Sequence, residues 1–451
     1  MGIHNDILHK PNSMLTMEFM EIRDPVHGTI SILKQEVQII DSQEFQRLRS
    51  IKQLGFAEFS FPGATHNRYI HSIGVCHLAG QAFDCIFDKF TFSSKSTRRR
   101  LRQTLRLAAL LHDIGHGPLS HTTEEVMPSL SELKLKIYQQ KNKKENPDRK
   151  ATHEDYTMKY LTDSPLAELL RQEFSDLTPN YVACLIDKSI QAADDFFVDQ
   201  GLNFRPILSQ LVSSELDVDR MDYLERDSYF CGTNYGKIDL PWLLRNLTFH
   251  IHEGSVFLSV SRRALYTFDD FLLSRHHMYL MVYFHHKSII YEEMLLRYLT
   301  SKDCTFNLPA SIQEYTAFND HKLYENLAHS QNEWAQRISQ RKPLKVLLEL
   351  HNNQQANQIE KLKKALEKQH IPTIWSSSSA RLSKYHTTSP EDRSSLIYVV
   401  DSYDRWNPPQ PINQSTQIFE KYEGTRIIDR LYVSSENLEK GLQILDNHAE
   451  L

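Results

Sequence analysis

Leu105-Arg-Leu-Ala-Ala-Leu-Leu111 runs directly into His112-Asp113-Ile114-Gly115-His116. The first half reads as the end of an apolar helix. The second half sets two imidazoles and a carboxylate where unpaired polar groups are costly to bury. A metal ion satisfies all three. A histidine ending a helix can also pair with the helix dipole, but that reading leaves the adjacent carboxylate and the surrounding histidines unexplained.

Working outward, His112 and His116 lie one helical turn apart and read as sharing a face. Arg68 and His71 are three apart on a second helix. His121, His153, Asp217, Asp219 and Asp222 are further candidates downstream. His71, His112, Asp113 and a later Asp make a four-ligand set of imidazole nitrogen and carboxylate oxygen, suited to Mn, Fe, Zn or a similar ion. Such an ion lowers the pKa of a bound water and polarises a phosphoryl oxygen. His27, after Asp-Pro in a turn, and His77, on an apolar helix, read as structural.

The flanking pattern is mostly helical. Asp41 or Ser42 caps a helix with Phe45, Leu48 and Ile51 on its apolar face, ended by Gly55. A helix is predicted from Asn67 to Phe87, and another, capped by Thr97, from Arg98 into the His112 motif, broken by Gly117-Pro118. Ile22 to Leu33 reads as a turn and a short strand. The basic stretch 134–150 reads as exposed. Helices dominate from Thr152 to about residue 300, interrupted by a hairpin over 248–260 with Glu253-Gly254 at its turn. Beyond residue 305 helices are predicted near 325–368, then a Ser-rich loop at 376–395, strands at 396–400 and 426–433, and a final helix. The expected organisation is a loose tail (1–19), a large, mainly α catalytic domain (20–304) and a mixed α/β region (305–451), its guessed role subunit contact.

The bulk numbers narrow the function classes. The chain has 451 residues, 40% of them apolar, so a substantial core is affordable. A net charge of −5 demands neither nucleic acid nor an acidic membrane. Five scattered cysteines without a CxxC suit a reducing compartment. No apolar run approaches the ~20 residues of a membrane helix, and no secretory h-region opens the chain. A cytoplasmic protein is expected.

Three stretches in order, Asn67-Arg-Tyr-Ile-His71-Ser-Ile-Gly-Val75, Leu111-His-Asp-Ile-Gly-His-Gly-Pro-Leu-Ser-His121 and Asp217-Val-Asp-Arg-Met-Asp-Tyr223, resemble the HD-domain phosphohydrolases. Asp24-Pro-Val-His-Gly28 and Phe45-Gln-Arg-Leu-Arg-Ser-Ile-Lys-Gln-Leu-Gly55 sharpen the resemblance to the deoxynucleoside triphosphate triphosphohydrolase branch, which includes the vertebrate sterile-alpha-motif HD-domain enzyme. The likeness covers about residues 22–290. The first 20 residues are too few for a sterile-alpha-motif domain. A large helical HD-domain core with a small mixed α/β C-terminal region is the implied fold.

The resemblance implies roles residue by residue. His71, His112, Asp113 and Asp219 match the ligands of a divalent metal, with Mn, Fe, Mg, Zn and Ni all open. Arg68 matches an arginine on the triphosphate. His116, His121 and His153 match histidines at the phosphates, with His121 the general acid on the leaving 5′ oxygen and Glu154 able to tune His153. Gln53 and Leu54 match residues at the sugar. Arg220, Tyr223, Asp227, Arg275, Tyr283 and His285 match further substrate contacts. Arg220 stands where the vertebrate enzyme has a lysine. Asp41, Gln46 and Arg49 match a regulatory nucleotide site between subunits, although Met20 stands where a phosphate-binding lysine is expected. The implied reaction takes a dNTP and water to a deoxynucleoside and triphosphate. Implied partners are the dNTP, a nucleotide activator and further copies of the chain in a dimer or tetramer. Two other readings stand beside it: another HD-family nucleotidase or phosphodiesterase, in which His116, His121 and His153 hold a second metal, and a nucleotide- or nucleic-acid-binding regulator without turnover.

Overall fold

The computed structural model describes residues 19–140, 145–193, 195–351, 356–380, 396–404, 406–421 and 426–449. The architecture is mainly α, with small sheets at its edges. The helix Arg68–Ile86 lies at the centre and is buried on nearly every side. Asn67 caps it by accepting the Ile70 amide. The helices Lys95–Leu111 and Val218–Cys231 pack against it. Gly74 makes the second contact possible: a Cβ there would lie 1.9 Å from Asp222 Oδ1 and 2.4 Å from Arg226 Nη2.

Several elements differ from the sequence expectation. The Lys95–Leu111 helix is capped by Ser94, whose hydroxyl accepts the Thr97 amide. It ends at Leu111, so His112 to His116 form successive turns instead of a helical face. Asp41 ends the preceding helix Lys34–Ile40, and Ser42 caps only the short helix Gln43–Gln46. The chain then tightens into a 3₁₀ turn, Arg47–Ser50, and Gly55, at φ +52°, opens another over Gly55–Phe59. A strand, Phe19–Asp24, precedes the Pro25-Val-His-Gly turn and pairs antiparallel with Gly28–Leu33. Within the stretch expected to be exposed, Leu135 and Ile137 are buried and Arg149 pairs with Asp155 at 2.7 Å.

The hairpin Leu247–His252 with Ser255–Ser261 forms as expected, and Glu253 and Gly254 both adopt positive φ, the twist a two-residue turn requires. Further on, Lys345–Leu350 is a strand where helix was expected. It pairs with Arg426–Val433, which also pairs with Thr373–Ala380, so Ser376 to Ser379 lie in a strand. Pairing on a central apolar strand overrides the weak local preference of each segment. Residues 381–395 of that expected loop, and residues 1–18 of the expected tail, fall outside the described residues.

One continuous apolar core runs from Ile30 to Tyr432 and takes in Leu308, Ile312, Tyr315, Leu323 and Ile338. A smaller one lies beneath the three-stranded sheet, around Leu347, Ile359, Leu362 and Leu431. Among the described residues no helix is long and apolar enough to cross a membrane.

Candidate active site

Three helix ends meet at one point. The first turn of Arg68–Ile86 brings Arg68 and His71, the end of Lys95–Leu111 brings His112 and Asp113, and the first turn of Val218–Cys231 brings Asp219. His71 Nε2 lies 3.0 Å from Asp219 Oδ1 and 3.6 Å from Asp113 Oδ2. His112 Nε2 lies 3.4 Å from Asp219 Oδ1 and 3.4 Å from Asp113 Oδ1. Despite these distances neither Nε2 is aligned to donate a hydrogen bond, and among the described residues both are buried without a partner.

The other nitrogen of each ring is tied down. His71 Nδ1 donates to Asp222 Oδ2 at 2.7 Å, and His112 Nδ1 donates to the Ala109 carbonyl at 2.8 Å. A ring whose Nδ1 donates in this way keeps an Nε2 lone pair for a cation. His71, His112 and Asp219 each offer an atom within 4.8 Å of the others, a group able to hold a metal ion. Burial alone would lower the His71 pKa, but Asp219 and Asp222 outweigh it and raise it to about 10. Burial would raise the Asp219 pKa, but the His112 and His71 rings beside it hold it below the usual carboxylate range. The group thus attracts positive charge, as protons or as a dication.

Asp222 is the hub behind it. Its carboxylate also accepts from His27 Nε2 at 2.6 Å and takes two bonds from Arg226 at 2.8 Å, while Arg226 reaches back to Asp24 at 2.8 Å. Asp24 in turn holds the Val26 and His27 amides of the hairpin turn.

Beside this group stand Arg68 and a second histidine set. Arg68 pairs with Asp113 and donates to Ser120 Oγ at 2.7 Å. The rings of His116 and His153 stack at 3.8 Å, and His121 meets them edge-on at 5.2 and 5.0 Å. Gly115 permits this, because a Cβ there would come within 2.0 Å of the His153 carbonyl oxygen. Glu124 Oε1 accepts from His153 Nδ1 at 2.6 Å and from His121 Nδ1 at 3.2 Å. The carboxylate that holds His153 is therefore Glu124, and Glu154 instead lines an adjoining cavity of about 520 Å³ with His112, Asp113, His153, Asp219 and Arg220. Burial, Arg68 and His153 press the His116 pKa well below its ordinary value.

The residues mapped to the sugar gather in part. Asp227 accepts from Tyr283 Oη at 2.8 Å and from His66 Nε2 at 2.7 Å. The Tyr223 and Tyr283 rings lie 6.3 Å apart. Gln53 donates its backbone N–H to the His66 carbonyl, and its side-chain Oε1 is buried without a partner among the described residues; Leu54 follows it, packed on the core. Arg275 adds its charge to the surroundings of Tyr223 and pairs with Glu215 at 3.0 Å. Arg220 pairs with Asp217. His285 is turned to Ser60 Oγ at 2.9 Å and accepts the Lys287 amide. At the surface, Gln46 accepts from Arg49 at 2.7 Å, Arg49 stacks over Tyr69 at 3.6 Å, and Asp41 is exposed.

His27, Asp24, Arg226, Glu124, Ser120 and His66 are the participants that sequence reasoning did not assign to the site. Asp24-Pro-Val-His27 stands out as a motif, but its His27 reads from the sequence as structural, and only its bond to Asp222 ties it to the site. Glu124 stands three residues from His121 and Arg226 four from Asp222, whereas Ser120, His66 and Asp24 join through contacts 52, 161 and 202 positions away.

Residues 68–227 match the HD domain family, and residues 238–378 match the HD associated region. An uncharacterised protein of Methanocaldococcus jannaschii is 31% identical over 327 residues, covering 72% of this chain and 59% of that protein. The deoxynucleoside triphosphate triphosphohydrolase SAMHD1 homolog of Dictyostelium discoideum is 30% identical over 302 residues, covering 66% of this chain and 52% of that protein. The matched region therefore spans little more than half the length of these curated relatives. The crystal structure of a hypothetical protein from Aquifex aeolicus superposes with a TM-score of 0.72 at 27% identity, covering 95% of this chain and all of that one. With its helix-end His and Asp group, this chain carries an HD domain and, following it, the HD associated region.

Proposed function

We propose that this protein is a metal-dependent dNTP triphosphohydrolase that converts a dNTP and water to a deoxynucleoside and triphosphate. The observation that carries the reading is the group of His71, His112, Asp113 and Asp219, with two Nε2 atoms that have no hydrogen-bond partner among the described residues, set directly against Arg68 and three histidines. The relative that bears this activity in its name supports the choice of substrate.

His71, His112, Asp113 and Asp219 would hold the ion, which when bound supplies Lewis-acid polarisation at the α-phosphate. Arg68 turns its guanidinium from Asp113 to phosphate oxygens, which suit its planar fork. His116 and His153 line the same face, and Arg220 supplies a further cation there. His121 delivers a proton to the departing 5′ oxygen, held at its Nδ1 by Glu124. Gln53, whose Oε1 is unpartnered, reads the 3′ hydroxyl, and Leu54 crowds a 2′ hydroxyl. Tyr223, Asp227, Arg275, Tyr283 and His285 complete the nucleoside side. In this reading the protein works in the cytoplasm as a homo-oligomer, with Asp41, Gln46 and Arg49 offering an activating nucleotide a surface between copies.

The test is incubation of purified protein with each dNTP, with Mn, Fe, Mg, Zn or Ni, and with candidate activators. Deoxynucleoside and intact triphosphate in equal amounts are the expected products. Intact substrate in every combination, with metal bound, would sink the proposal.

One observation favours a second reading. His121, Glu124 and His153 also offer atoms within 4.8 Å of one another. A second ion there would fit an HD-family nucleotidase or phosphodiesterase. Elemental analysis separates the two: one tightly held transition ion per chain supports the triphosphohydrolase, two support the alternative.

A further inference from the structure

The region after residue 305 meets the His112–His121 turns through the short segment Tyr315–Asp320. Tyr315 Oη donates to the Gly115 carbonyl at 2.8 Å, in the middle of the His112–His116 turns. Arg47 donates to the Phe318 carbonyl at 2.8 Å and, with its other nitrogens, to the Ile114 and His116 carbonyls at 3.3 and 2.6 Å. Asp320, in the first turn of the helix Asp320–His329, is buried at 3% exposure. Its Oδ2 accepts the Lys52 amide at 2.9 Å and its Oδ1 accepts the Leu119 amide at 2.9 Å.

Those two amides open the two loops that face the nucleotide in the proposed function. Lys52 immediately precedes Gln53 and Leu54. Leu119 precedes Ser120 and His121, and both Leu119 and Ser120 are held in the left-handed region, at φ +51° and +60°. That conformation is unfavourable for a non-glycine residue and persists only where its surroundings dictate it. Ser120 Oγ then receives Arg68. A buried carboxylate with one oxygen on each loop is costly unless both bonds are made, so it sets the spacing of the loops as well as their shapes.

We propose that Asp320 is a positioning residue that clamps the Lys52–Leu54 and Leu119–His121 loops at a fixed separation. The region after residue 305 thereby sets the distance between the sugar wall and the group that protonates the leaving oxygen. The structural half stands on the two hydrogen bonds alone; the catalytic half rests on the dNTP reading above.

The test uses the full chain and begins with the unmodified protein. The Lys52 and Leu119 amides should exchange with deuterium as slowly as those of the Arg68–Ile86 helix; exchange at a solvent-open rate at either amide overturns the clamp. In Asp320→Asn, whose amide group can accept only one of the two bonds, peptides spanning 51–56 and 118–123 should exchange at least ~10-fold faster, with metal content unchanged. Turnover of dATP should fall about 10- to 100-fold in kcat, and the preference for dATP over ATP should narrow several-fold. Exchange within twofold of the parent in both loops overturns the clamp. Faster exchange with an unaltered dATP-to-ATP preference reduces Asp320 to a structural role and overturns the positioning claim. A parent protein with protected amides and no dNTP turnover refutes the assigned function while upholding the clamp.

Discussion

Two pairs of histidines lie side by side in this protein, and the fold treats them in opposite ways. His71 and His112 are anchored at Nδ1 by two different acceptors, and their buried Nε2 atoms approach the same two carboxylates without a hydrogen bond. His121 and His153 share a single acceptor, Glu124 Oε1, and the His121 side chain is 71% exposed. Burial with an unsatisfied lone pair is tolerable only if a cation completes the site. Exposure beside a carboxylate suits a ring that exchanges protons and meets an anion. The same residue type thus takes two roles, set by which nitrogen is engaged and by access to water.

The largest effect should come from breaking the buried pair's surroundings. Asp113→Ala should abolish turnover, a loss of at least ~10³-fold, and weaken metal retention on gel filtration. Next comes the pair on Glu124, in which His121 is the exposed ring. His121→Ala should lower kcat by ~10²–10⁴-fold while metal content, read by elemental analysis, stays at the parental value. Loss of metal from that variant would mean that the two pairs form one site, and the contrast drawn above would collapse.

A smaller effect probes the anchor. In Asp222→Asn the amide nitrogen faces donors whichever way it turns, His71 Nδ1 with Arg226 Nε or His27 Nε2 with Arg226 Nη2. Metal affinity should fall ~10- to 100-fold by titration against a chelator, and metal affinity equal to that of the parent would remove the need for a fixed His71.

The smallest concerns Glu124. Burial would raise its pKa, but hydrogen bonds from His121 and His153 lower it to about 2. A lowered carboxylate contributes stability that is fully present above its unfolded pKa of about 4.5 and is lost as pH falls toward 2. Because the side chain is a quarter exposed, about 1–2 kcal/mol is expected. Glu124→Gln should therefore melt a few degrees lower at pH 7, with the gap closing between about pH 5 and 2. A gap that stays constant across that range would detach the stability from the carboxylate's charge.

The helices were the most legible part of the chain. Asn67 marks the start of the central helix because an Asn side chain can take an amide that the helix leaves free. Thr97 failed as the second cap because Ser94, three residues earlier, takes that role. Lys345–Leu350 was unreadable as a strand because its partner lies some 80 residues away, and pairing decides β structure. Within the site the motifs named the groups that the fold brings together around Arg68, His71, His112, Asp113 and Asp219. They did not say which group holds which: Asp222 is 151 positions from His71, and Asp320, which no motif contains, is 201 from Leu119.

Local order in the chain therefore determined which chemical groups stand at the helix ends, because a helix sets the spacing of its own side chains. Only the tertiary structure decided which nitrogen of each ring is free, which carboxylate holds it, and how the region after residue 305 enters the site. Those outcomes depend on close approaches, at Gly74 and Gly115, and on long-range hydrogen bonds that no local spacing encodes.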